Sequence, residues 1–99
     1  MGFEKVSNIL SSVIRDLDLE KGIAEHKAMM LWEEAVGSEA AAHAVPREIA
    51  RGRMVAAVDS SVWLQELRMR EHEIIEKINQ LLGKDVLKEI YFTIGGERR

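Results

Sequence analysis

Arg47, Arg51 and Arg53 form the densest local cluster of positive charge in the chain, with Glu48 the one nearby acid. Arg68 and Arg70 follow a short way downstream. A guanidinium presents a planar fork of donors that matches a phosphate, so arginines gathered on one surface attract a nucleic-acid backbone by charge-assisted contacts. Tyr91 adds an aromatic ring able to stack on a base, in a segment where Ile90, Phe92 and Ile94 would face the opposite way. These six residues are the candidate nucleic-acid-binding set. The competing reading is that the arginines pair with the many surface glutamates, in contacts of little energetic weight.

The remaining reactive residue types give no catalytic pattern. Ser60 and Ser61 follow Asp59, but nothing around them resembles a nucleophile elbow, and all three are read as caps for a helix start. His26, His43 and His72 lack metal-ligand spacing and are read as surface or capping residues. Glu33-Glu34 and Glu71-x-Glu73 are read as solvated helix faces. No phosphate-cradling Gly-x-x-x-x-Gly-Lys loop occurs. No enzyme activity, cofactor, metal or small-molecule substrate is expected.

The elements that must position these residues follow from periodicity. Val6, Ile9, Leu10, Val13, Ile14 and Leu17 fall on one stripe of an amphipathic helix capped near Ser7. A break is expected over Asp16 to Gly22. Ala24, Ala28, Leu31, Trp32, Ala35 and Val36 then mark a second helix ending near Gly37, a residue suited to the left-handed position after a helix. Ser38 starts one short further turn through Ala42. Pro46 pushes the chain before it into extended form. Val45–Ala50 and Arg53–Val58 read as antiparallel strands joined in a tight hairpin at Arg51-Gly52. Across Asp59-Ser60-Ser61 the hydrophobic period changes from two to about 3.6, so a strand hands over to a helix. From Ser61 one long helix carries Leu64, Leu67, Ile74, Ile75, Ile78, Leu81 and Leu82 inward and stops at Gly83. Ile90, Phe92 and Ile94 alternate with Tyr91 and Thr93 in a third strand. Trp32 and Trp63 sit among helical apolar residues and are read first as core, with base stacking as the alternative.

The expected fold is therefore α+β, in the order helix, helix, strand, strand, helix, strand, with helices packed on a three-stranded sheet. The 99 residues make one domain, 1–99, with its core over about 7–95 and a short polar end at 96–99. Without cysteine there are no disulfides or thiolate sites. No run reaches the ~20 apolar residues of a membrane span, and the N-terminus lacks the apolar core of a signal sequence, so a cytoplasmic protein without membrane contact is expected. The net charge of −3 excludes a strongly basic nucleic-acid binder and leaves a local patch.

Four motifs occur in order: Trp32-Glu33-Glu34-Ala35-Val36-Gly37, Ala42-His43-x-x-Pro46, Val58-Asp59-Ser60-Ser61-Val62-Trp63-Leu64-Gln65-Glu66-Leu67, and Ile90-Tyr91-Phe92-Thr93-Ile94-Gly95. Together they resemble the bacterial DciA family over roughly Ser7 to Gly95. That resemblance implies a domain similar to the K-homology (KH) fold and a noncatalytic role in loading or operating the replicative DNA helicase. It implies single-stranded DNA and the helicase as partners. KH domains clamp nucleic acid with a Gly-x-x-Gly loop between two helices, and this sequence has no such tetrapeptide. Many family members carry a polar C-terminal extension, whereas only Gly96 to Arg99 follow the last motif, so helicase contact through such a tail is not expected. Two other readings stand beside this one: a protein-interaction module that docks on the helicase or another assembly without touching nucleic acid, and an RNA-binding KH-like protein.

Overall fold

The computed structural model describes residues 19–95, so the expected Val6–Leu17 helix, its Ser7 cap and the polar end at 96–99 lie outside the described residues. Helix α1 covers residues 19–30, and α2 (Trp32–Val36) follows after one non-helical residue, Leu31. Residues 19–22 are helical, so the described part of the expected Asp16–Gly22 break belongs to α1. Its inner face is small: Ala24 and Ala28 are buried and let the helix approach closely. Gly37 ends α2 with φ 95° and ψ 156°. This is not the expected left-handed α conformation but an extended, positive-φ one that only glycine adopts easily. It turns the chain directly into α3 (Ser38–Ala41).

Strands β1 (Ala44–Ala50) and β2 (Arg53–Val58) pair antiparallel, and β3 (Glu89–Ile94) adds to β2 in parallel, in the order β1-β2-β3. A parallel neighbour requires a crossover rather than a hairpin. Helices α4 (Ser61–Met69) and α5 (Glu71–Leu82) supply it. The expected single helix is divided at Arg70, whose φ −102° and ψ 9° leave the helical region and whose N–H bonds to the Leu67 carbonyl at 3.0 Å. No glycine or proline marks this break. Packing imposes it, since α4 lies against β2 and β3 while α5 lies against α2 and β3.

The described helices lie on one face of the sheet. Ala44, Met54, Ala56, Val58, Ile90 and Phe92 point into them and pack with Trp32, Val36, Leu67, Ile74, Ile78 and Leu87. Leu64, Ile75 and Leu82 line the margin of this core as expected, whereas Leu81 is exposed because its neighbour Leu82 takes the core-facing position. Trp32 is buried and tilted against Phe92, with ring centroids 6.3 Å apart. Its indole N–H donates to the Ala44 carbonyl at 2.9 Å and so fastens the helical layer to the start of β1. Beyond Gly83 the chain has no regular structure until β3, yet one side chain organises it. Asn79 donates to the Leu87 carbonyl at 2.8 Å and accepts from Val86 and Leu87 N–H at 3.0 and 2.9 Å.

The strand-to-helix joint is capped by one residue rather than three. Ser60 is extended and its Oγ accepts the Trp63 N–H at 3.2 Å, while Ser61 is already the first helical residue. Ser60→Ala should therefore lower unfolding free energy by about 1 kcal/mol in urea titration, and Ser61→Ala should change it far less. Trp32→Phe should cost roughly 1–3 kcal/mol by the same measurement, because the ring volume is largely kept while a buried carbonyl loses its donor.

Candidate nucleic-acid interface

The face of the sheet opposite the helices carries Val45, Arg53, Val55, Ala57, Glu89, Tyr91 and Thr93, as the alternation and the register Arg53↔Glu89, Val55↔Tyr91 and Ala57↔Thr93 require. Tyr91 is 48% exposed, as its place in the alternation predicts. The Arg53 guanidinium carbon lies 4.9 Å from the Tyr91 ring centroid, a cation–π distance, and its Nε pairs with Glu89 at 3.3 Å. The salt bridge holds the guanidinium over the ring, so the two side chains form one platform with an aromatic plane and a positive edge. Both are solvent-accessible, which keeps the Arg53–Glu89 pair weak and exchangeable for a phosphate contact.

Arg47 and Arg51 flank this platform through distortions of the backbone. Pro46 pairs with Ala56 and Glu48 with Val55, so Arg47 is the extra residue of a β-bulge on the edge strand. Arg51 and Gly52 form the two-residue hairpin turn, with φ 54° and 82°. Positive φ at both central positions defines the primed turn that matches strand twist, and asparagine, aspartate or glycine is its usual first residue. Arginine there carries a backbone cost of about 1 kcal/mol. Gly52 is buried, and a Cβ on it would meet the Lys88 side chain at 3.0 Å.

Arg68 and Arg70 do not join this group. They belong to the helical layer on the other side of the sheet. The Arg70 side chain turns inward, with Nε 3.7 Å from Glu66 and Nη2 3.5 Å from the Val36 carbonyl. The α4–α5 junction is the place where a Gly-x-x-Gly loop between two helices would stand, and it is a single residue. Glu71, the first residue after it, accepts the Ile90 N–H at 3.0 Å. No glycine loop stands there to clamp a phosphate.

Another constellation was missed by residue-by-residue reading. His43 Nδ1 lies 3.0 Å from Asp59 Oδ2, and its ring stacks on Trp63 with centroids 5.2 Å apart and planes 14° from parallel. Asp59 therefore engages a histidine rather than capping the helix, and Trp63 is half-buried under that histidine. The signal available was the joint occurrence of Ala42-His43 and Asp59-x-x-x-Trp63 as motifs; no spacing rule links residues so far apart in sequence. The neighbouring Ser60 hydroxyl accepts the Trp63 N–H, the role of a helix cap. Among the described residues no cluster of three or more histidine, aspartate or glutamate side chains could hold a metal ion. No described helix is long and apolar enough to cross a membrane.

Residues 5–92 match the family model described as "Dna[CI] antecedent, DciA". Among curated proteins, a UPF0232 protein of Mycobacterium ulcerans is 27% identical over 88 residues, covering 85% of this chain and 47% of its own length. A UPF0232 protein of Rhodococcus jostii is 31% identical over 71 residues, covering 72% of this chain and 38% of its own. One from Corynebacterium glutamicum is 28% identical over 89 residues, covering 90% and 50%. The chain thus spans about half the length, or less, of these relatives.

Arg51→Asn should raise stability to urea by roughly half a kcal/mol, because asparagine tolerates positive φ at lower cost. It removes the charge without disturbing the turn.

Proposed function

The chain belongs to the DciA family, and on that premise we propose that it is a noncatalytic accessory domain of DNA replication that works with the replicative helicase and holds single-stranded DNA weakly on its open sheet face. The Arg53–Tyr91 platform carries this reading. A base stacked on Tyr91 gains ~1–3 kcal/mol, and Arg53 and Arg51, with Arg47 at the bulge, border the path of the backbone. The balance of charge on this face is modest, with Glu48 and Glu89 among the arginines. Weak, salt-sensitive binding follows. Holding a strand loosely suits a factor that must pass it to a helicase.

A second reading, docking on a protein without nucleic-acid contact, is supported by α4. Val62 and Met69, one stripe apart by seven residues, are 75% and 76% exposed. Glu66, Glu71, Glu73 and Glu76 surround the α4–α5 junction. An apolar stripe rimmed by carboxylates suits a protein surface better than a phosphate backbone. The two faces are opposite, so both contacts are compatible in one molecule.

Fluorescence anisotropy of a labelled oligo-dT, titrated at several salt concentrations, tests the first reading. Log affinity should fall by ~0.7 per decade of salt for each neutralised phosphate. Arg53→Glu with Tyr91→Ser should abolish binding while Arg68→Glu leaves it unchanged. Absence of binding at low salt, or indifference to the Arg53/Tyr91 pair, would overturn it. A matched RNA strand in the same titration should bind no better than the DNA. Capture of the helicase after nuclease treatment, lost with Val62→Glu and Met69→Glu, would establish the second contact.

A further inference from the structure

We infer that the cleft at the hairpin tip, bounded by Arg51, Lys84 and Lys88, is a phosphate-binding site for the backbone of a strand lying on the open sheet face. This inference rests on the sheet-face reading and extends it to residues outside the arginine set. The cleft has a volume of about 650 Å³ and lies between α1, the Arg51-Gly52 turn and the segment from Lys84 to Lys88. Lys21, Arg51, Lys84 and Lys88 face it with Glu20, Glu25 and Asp85, four cations against three carboxylates. One of those carboxylates is engaged, since Glu25 Oε2 accepts the Gly52 N–H at 3.3 Å. None of the four cations has an ion pair among the described residues, whereas Arg53 and Arg70 do.

The site is held in place before any ligand arrives. Lys88 N–H donates to the Gly52 carbonyl at 2.7 Å, and the Lys88 stem lies against Gly52 in the space that a Cβ would need. One hydrogen bond donated and two accepted by the Asn79 side chain pin the chain just before Lys88. A loop without helix or strand is thereby made rigid, which lowers the entropy lost on binding. The turn also keeps an arginine where its backbone conformation favours asparagine or glycine. Strain of that kind persists where the side chain has a use. Arg53, the next residue after Gly52, belongs to the Tyr91 platform, and the cleft, lined by α1, lies around the hairpin tip from it, so a strand whose base stacks on Tyr91 would meet the three cations by passing over the tip. A phosphodiester is monoanionic at each unit and meets separate cations along its length, which matches three cations spread around a cleft better than one compact anion does.

The test uses the full chain and the labelled oligo-dT. Lys84→Gln with Lys88→Gln keeps both stems and removes both charges. Affinity at low salt should fall at least about fivefold, and the slope of log affinity against log salt should decrease by about 1.4, two phosphates' worth. Tyr91→Ser should weaken binding with no change in slope. Backbone amide shifts of Gly52, Val86 and Lys88 should move on adding oligo-dT and should not saturate with inorganic phosphate at millimolar concentration. If the parent chain binds and the double variant keeps its affinity and slope, the tip site is wrong and the sheet-face reading survives. If the parent chain does not bind at low salt, both fail. Saturation of those amides by inorganic phosphate alone would make the cleft a free-anion site and overturn the assignment to a strand.

Discussion

A single indole hydrogen bond, from Trp32 to the Ala44 carbonyl, ties the helical layer to the sheet at the corner where β1 begins and β2 and β3 end. Every recognisable motif of the chain converges there. The segment ending at Gly37 brings Trp32 to the core, and Ala42-His43 leads into β1. The His43 carbonyl accepts the Asp59 N–H at 2.9 Å, while its ring contacts the Asp59 carboxylate and Trp63. The Gly95 N–H donates to the Val58 carbonyl at 2.9 Å and closes the end of β3 onto β2. Most of these residues hold polar backbone groups at a crowded junction, where an unpaired donor or acceptor would cost more than the bond contributes. The motifs are recognisable because the corner is demanding, and they report architecture before activity.

That architecture decides which surfaces are available. With the described helices on one side, alternation places Arg53 and Tyr91 together on the opposite face of the sheet, which no described helix covers. The α4–α5 junction, where a KH clamp would stand, is reduced to Arg70 and closed by the contacts of Arg70 and Glu71 with backbone carbonyl and N–H groups. A fold of this kind without its glycine loop has to find phosphate contacts elsewhere or do without them. The rigid cationic rim beside the hairpin turn lies at the one end of the sheet where Arg51, Lys84 and Lys88 come together.

Much of the fold was legible in the residues because local chemistry and global packing agree. The hairpin at Arg51-Gly52, the strand-to-helix change at Ser60-Ser61 and the stop at Gly83 all have short-range causes. Where local rules were silent, tertiary contacts decided: the division of the long helix at Arg70 has no glycine or proline, and the bulge at Arg47 leaves no mark in composition. Asp59 shows the limit most clearly. Next to two serines it reads as a cap, yet its partner is His43, sixteen residues away in sequence. The grouping of the candidate arginines divides in the same way. Arg47, Arg51 and Arg53 share the sheet because they share a hairpin, while proximity along the chain misplaced Arg68 and Arg70, since a crossover helix after a strand carries its residues to the covered face.

By itself the sequence determined most element types, the hairpin, the inward placement of Ile90 and Phe92 though not of the exposed Ile94, the exposure of Tyr91 and the family, for each depends on period, turn chemistry or ordered motifs within a few residues. Only the tertiary structure decided that β3 runs parallel to β2, that Arg53 lies over Tyr91, and that Lys84 and Lys88 stand beside Arg51. Those juxtapositions arise from a crossover of two helices that returns the chain to the sheet, and no short-range preference encodes where such a return will land.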